Sequence, residues 1–158
     1  MDQHSNHGMH PKPELSLNRL AVRATTHCMT GCAIGEVLGL AVGIAAGWGN
    51  ALSIFIAIML AFVFGYSLTM LPLLRSGMAF RMAARLALVA DTASITLMEI
   101  VDNLIMLLVP GAMEAGLDTI LFWNSMALSL GVAWVAALPL NRWLIKRGMG
   151  HAALHSRH

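Results

Sequence analysis

The sequence predicts an all-α integral membrane bundle of four transmembrane helices, and three observations carry that expectation. Hydrophobic residues make up 58% of the 158-residue chain and charged residues only 11%, against about 25% charged in an ordinary soluble domain. Four apolar stretches each approach the roughly 20 residues that cross a bilayer as helix. The basic residues are confined to alternate connections, as the positive-inside rule requires of a multi-pass protein.

The first stretch runs from Thr26 to Trp48, the second from Ala51 to Leu74, the third from Arg85 to Val109 and the fourth from Leu117 to Leu140. Turn residues separate them: "GWGN" after the first, "PLLRSG" after the second and "PGAMEAG" after the third. Between Arg75 and Arg85, Met78 with Met82 and Arg81 with Arg85 recur at i,i+4, the pattern of a short interfacial helix leading into the third span. A secretory signal is not expected, because about two dozen polar residues precede an apolar run too long for an h-region.

Lys12, Arg19 and Arg23 precede the first span, Arg75, Arg81 and Arg85 separate the second from the third, and Arg142, Lys146, Arg147 and Arg157 follow the fourth. The other two connections hold only Glu114 and Asp118. Both termini and the middle connection are therefore expected in the cytoplasm. Trp48, Trp123 and Trp143 fall near span ends, where an aromatic belt sits, while Trp134 lies deeper. The expected organisation is a tail over residues 1–24 containing His and Met, a membrane domain over 25–145, and a basic tail with His over 146–158. The sequence pI of 8.8 does not signify nucleic acid, since the bases are scattered and form no stripe with aromatics.

Four of the acids, Glu36, Asp91, Glu99 and Asp102, lie inside expected spans with no Lys or Arg well inside a span to pair with. Each costs about 2.5–3.5 kcal/mol if ionised at mid-bilayer. A bound cation, a proton or water in a cavity must offset that cost, or neutral carboxyls must hydrogen-bond to Ser, Thr or Asn of other helices. On the third span, Asp91 and Asp102 differ by about 20° around the helix and Glu99 stands about 80° from Asp91, a column of acids on one side. Met98 and Met106 share that sector, either as thioether ligands or as apolar filler.

The first span opens with "HCMTGCAIGE". Cys28 and Cys32 are i,i+4, so both sulfurs can face one site from a continuous helix. A disulfide at that spacing would strain the helix, which favours thiolate ligation over a redox pair. Two thiolates fall short of a tetrahedral set, so a carboxylate of the third span, Asp91 first, is the expected completion; His27, about 100° from Cys28, joins only if the first turn loosens, and Glu36 lies between the levels of Asp91 and Glu99. The alternative is two buried cysteines serving as small hydrophobes. Gly31, Gly35, Gly39, Gly43 and Gly47 form an adjacent small-residue stripe for close helix packing. Its expected partner is the third span or the same helix of a second subunit, giving a homo-oligomer. His4, His7 and His10, with His151, His155 and His158, supply the tails with accessory metal-capturing groups or a solvated biased composition. No phosphate loop, nucleophile elbow, dinucleotide fingerprint or HExxH is present, so no catalytic residue is assigned.

At "TTHCMTGCAIGE" and "ADTASITLMEIVDN" the chain resembles an uncharacterised bacterial domain-of-unknown-function family of small integral membrane proteins. The resemblance covers roughly residues 20–145 and points to His27, Cys28, Gly31, Cys32, Gly35, Glu36, Asp91, Glu99, Asp102 and Asn103. Glu36 stands where the resemblance implies aspartate more often. It implies a bacterial inner membrane location and a link to metals, and no established activity.

The functional expectation is metal-cation binding and transport, with His27, Cys28, Cys32 and Asp91 as a soft capture site and Glu36, Glu99 and Asp102 continuing the path. Zinc or copper is the expected ion. The alternatives are a non-transporting metal-binding or sensor subunit, and a thiol–disulfide redox protein of the membrane.

Overall fold

The computed structural model describes residues 16–147 as a bundle of four α-helices, with no strand among the described residues. These are α1 (Leu17–Ala45), α2 (Asn50–Arg75), α3 (Phe80–Leu108) and α4 (Ile120–Lys146). The tail histidines His4, His7, His10, His151, His155 and His158 lie outside the described residues.

Local chemistry sets the helix ends. Ser16 caps α1 by accepting the Arg19 amide at 3.4 Å, and Thr119 caps α4 by accepting that of Phe122 at 3.3 Å. Gly47 and Gly77, at φ 66° and 84°, adopt the left-handed conformation that terminates α1 and α2. α1 begins ahead of the apolar run because Leu20, Ala21 and Ala24 are buried against Ile145 of α4. The expected interfacial helix between residues 75 and 85 is not a separate element. Arg75 closes α2, a four-residue turn follows, and Phe80 already belongs to the continuous α3.

Successive helices run antiparallel, so α1 and α3 are parallel. α1 packs most extensively on α2 and α3 on α4, while α1 and α3 approach across the bundle centre. The α1–α2 seam rests on small residues. A Cβ added to Gly31 would stand 2.7 Å from the Gly65 Cα, and at Gly35 or Gly39 it would strike the backbone of Ala61 or Ala57. At Gly43 it would strike the Ser53 side chain. The stripe therefore meets α2 of the same chain, not the third span. Gly47 lies past the helix, with nothing within 4 Å of an added Cβ. The complementary pattern on α2, Ser53, Ala57, Ala61, Gly65 and Thr69, also repeats every four residues and is buried. α4 carries a third such row in Ser125, Ser129, Ala133, Ala137 and Asn141.

Among the described residues three helices, α1, α2 and α4, are long and apolar enough to cross a membrane, and the chain reads as a membrane protein. α3, with 29 residues, is long enough but carries Arg81, Arg85, Asp91, Glu99 and Asp102. Polarity in the bundle is inverted relative to a soluble one. Asp91, Glu99, Asp102, Ser94, Ser129 and Asn141 are buried, while Phe55, Val63, Ile100, Leu107 and Val135 are exposed. Large apolar side chains outside and polar ones inside suit a lipid surround.

Candidate functional site

The helical period turns the acids of α3 inward, onto the face that α1 approaches. Because α1 and α3 run parallel, their polar residues meet level by level. At the first level the Cys28 thiol donates to Asp91 Oδ1 at 3.9 Å, with Thr69 of α2 beside the carboxyl. Cys32, wholly buried, faces Glu99 one turn further along. Glu36 then faces Asp102 and Glu99 together, and Ser129 of α4 stands next to Asp102.

Beside the first level lies a hydrogen-bonded knot joining three helices. Asn141 Nδ2 donates to Thr25 Oγ1 at 2.9 Å and to Ser94 Oγ at 3.0 Å. Thr25 donates in turn to the Ala21 carbonyl at 2.9 Å, so its hydroxyl is used in both directions. Such bonds tie helices together where water is excluded. Thr25, Thr69, Ser94, Ser129 and Asn141 escaped the sequence reading, although each repeats the four-residue spacing of its helix.

The carboxyls of the upper level are the least satisfied groups of the bundle. Glu36, Glu99 and Asp102 are each only 5% exposed. Both side-chain oxygens of Glu36 and of Glu99, and Oδ1 of Asp102, are buried without a hydrogen-bond partner among the described residues. They form the floor of a cavity of about 240 Å³ enclosed by α1, α2, α3, the start of α4 and the link of residues 109–119. Its mouth, at the end where α1 joins α2, is marked by Trp48, Asn50 and Glu114. Asn50 donates to the Met113 carbonyl at 3.5 Å, joining the two links there.

The expected donors are thus brought to one side of the bundle centre but strung along its axis. Among the described residues, no group of three or more His, Cys, Asp or Glu side chains is placed to hold a metal ion. Zinc ligation needs donors within about 2.0–2.3 Å of a common point, and this spread does not provide one. Met98 is buried among Cys28, Cys32, Ala61, Ile95, Ala133 and Ala137, where it fills apolar space. Met106 instead lines the cavity. His27 is half-buried, about 100° around α1 from Cys28. Both cysteines are free thiols.

The chain belongs to the DUF4396 family, a domain of unknown function, whose match covers residues 18–150. No curated protein and no solved structure matches the chain.

Proposed function

We propose that this member of the family is a four-span protein of the bacterial inner membrane that binds a metal cation at buried carboxyls and moves it along the α1–α3 interface. One observation carries the reading: Glu36, Glu99 and Asp102 lie together at the floor of the cavity, with oxygens unpartnered among the described residues and no Lys or Arg in its lining. Three ionised carboxyls in that position cost about 2.5–3.5 kcal/mol each, and a divalent cation is the economical way to offset them. Cys32, Cys28 and Asp91 continue the donors toward the opposite end.

The donor set fits zinc better than copper(I). Oxygen dominates at the floor, thiol sulfur enters only from the two cysteines, and the Met98 thioether is packed into the core while those of Met106 and Met126 stand in the cavity wall. Glu36, Glu99 and Asp102 would hold the ion, with the Cys32 thiol beside Glu99 as the nearest sulfur.

The fourth span is α3, which turns its acids inward and Leu88, Ile100, Leu104 and Leu108 outward. The cytoplasmic end is the one that gathers Arg19, Arg23, Arg75, Arg81, Arg85, Arg142, Lys146 and Arg147, with both helix termini of the bundle. Arg147 stacks on Trp143 at 4.2 Å there, an arrangement suited to the membrane interface. The opposite end carries Glu114 and Asp118 and no base among the described residues.

Zinc flux into proteoliposomes tests the function. Wild-type protein should transport, Glu36→Gln, Glu99→Gln and Asp102→Asn should each reduce flux at least tenfold, and Cys28→Ala/Cys32→Ala should reduce it less. Equal flux in wild type and the carboxyl variants overturns the reading. A second reading, metal binding without transport, is favoured by the Asn141–Thr25–Ser94 knot that ties the cytoplasmic half together. Stoichiometric zinc binding with no flux would select it.

A further inference from the structure

The cavity above the carboxyls is built for more than an inorganic ion. Its volume of about 240 Å³ equals that of about eight liquid water molecules at about 30 Å³ each. A metal ion using the floor carboxyls leaves most of that space unused. Above the floor the walls are apolar, formed largely by Ile44, Ile54, Ile58, Met106, Phe122 and Met126. The isoleucines and Phe122 can neither ligate a metal nor replace its hydration shell, and the two methionine thioethers suit only a soft ion. All of these side chains can pack against hydrocarbon.

We propose that this cavity binds a small organic ammonium ion, its charged nitrogen on Glu36, Glu99 and Asp102 and its apolar body against the wall toward Trp48. The carboxyl cluster is backed by an independent feature, since Glu36 and Glu99 are about nineteen-twentieths buried and present both oxygens unpartnered among the described residues. Other ligand classes fit less well. An anion or a free amino acid would place a carboxylate in a site whose lining contains no Lys or Arg. A neutral hydrocarbon would leave the buried acids uncompensated. An ammonium ion with an aryl or branched alkyl body satisfies the floor and the walls together.

The inference rests on the proposal that the three carboxyls bind a cation, but it does not require that the transported cation be a metal. Calorimetric titration of the full-length protein in detergent separates the two, using phenethylammonium chloride and zinc chloride in parallel. One phenethylammonium ion should bind per chain, and the uncharged analogue phenethyl alcohol should bind at least tenfold more weakly. Glu36→Gln and Glu99→Gln, with melting curves confirming that each is folded, should each weaken phenethylammonium at least tenfold. Ala115→Phe, which fills the cavity beneath the 109–119 link and leaves the carboxyls in place, should weaken phenethylammonium at least tenfold and leave zinc binding unchanged. The inference is overturned if phenethylammonium does not bind the wild type, if the alcohol binds equally well, or if all three variants bind as the wild type does. Zinc binding without phenethylammonium sinks this inference alone; the converse sinks the metal reading alone.

Discussion

Cys28 of α1 donates its thiol to Asp91 of α3 at 3.9 Å, in a centre where Cys28 is 2% and Asp91 1% exposed. Burial this deep predicts that neither cysteine reacts with N-ethylmaleimide within minutes in folded, detergent-solubilised protein, and that both react after denaturation in dodecyl sulfate. Asp91→Ala opens space beside Cys28 alone. It should make Cys28 at least tenfold more reactive while Cys32 stays protected, as read by mass spectrometry of the labelled peptides. Equal exposure of both thiols in the variant would contradict the level-by-level pairing.

The α1–α2 seam predicts a sharp positional effect of single methyl groups. Gly35→Ala forces the new Cβ onto the Ala61 backbone, which cannot yield as a side chain can. Overpacking of this kind costs about 1–3 kcal/mol, and Tm should fall by about 3–10 °C. Gly131→Ala is the control, since nothing lies within 4 Å of its added Cβ. Its Tm should not fall and should rise by about 1–4 °C, because alanine is favoured over glycine inside a helix by about 0.5–1 kcal/mol.

Asn141→Ala removes two donated hydrogen bonds that join α4 to α1 and α3. Bonds between membrane helices average about 0.6 kcal/mol each. Loss of the pair should therefore cost about 1–2 kcal/mol, with Thr25 less affected than Ser94 because it keeps its bond to Ala21. Denaturation in mixed detergent micelles measures the loss.

The floor carboxyls predict a trade between function and stability. Glu36→Gln and Glu99→Gln remove a buried ionisable group while preserving its shape. In cation-free buffer each should raise stability by about 1–3 kcal/mol, even as cation binding weakens. Thermal melting with and without zinc reads both effects in one experiment. A variant that loses stability in both conditions would show that the carboxyl is a structural hydrogen-bonding group.

The helix number was legible from the lengths of the apolar runs, and the inward column of acids from the helical period: Asp91, Glu99 and Asp102 share a sector on a wheel and share it in the bundle. The destination of the glycine stripe was not legible from the stripe alone. A row of glycines specifies a close neighbour without saying which. The matching row Ser53, Ala57, Ala61 and Gly65 was present in the sequence and, read in reverse order for an antiparallel partner, names α2. The separate interfacial helix failed for a different reason. The i,i+4 spacing over residues 75–85 fits any helix, and the glycine at 77 breaks that segment before the pattern is complete. The cavity had no sequence signature at all, because it arises where residues far apart in the chain, from α1, α2, α3 and the 109–119 link, meet at one end of the bundle.

Interlocking without side-chain cushions has a mechanical consequence. Where backbone rests on backbone from Gly31 to Gly39, two helices cannot slide or swivel independently, so α1 and α2 must travel as one stiff slab. Compliance is left to the α1–α3 interface, where Ile95, Met98 and the carboxyl side chains stand between that slab and α3.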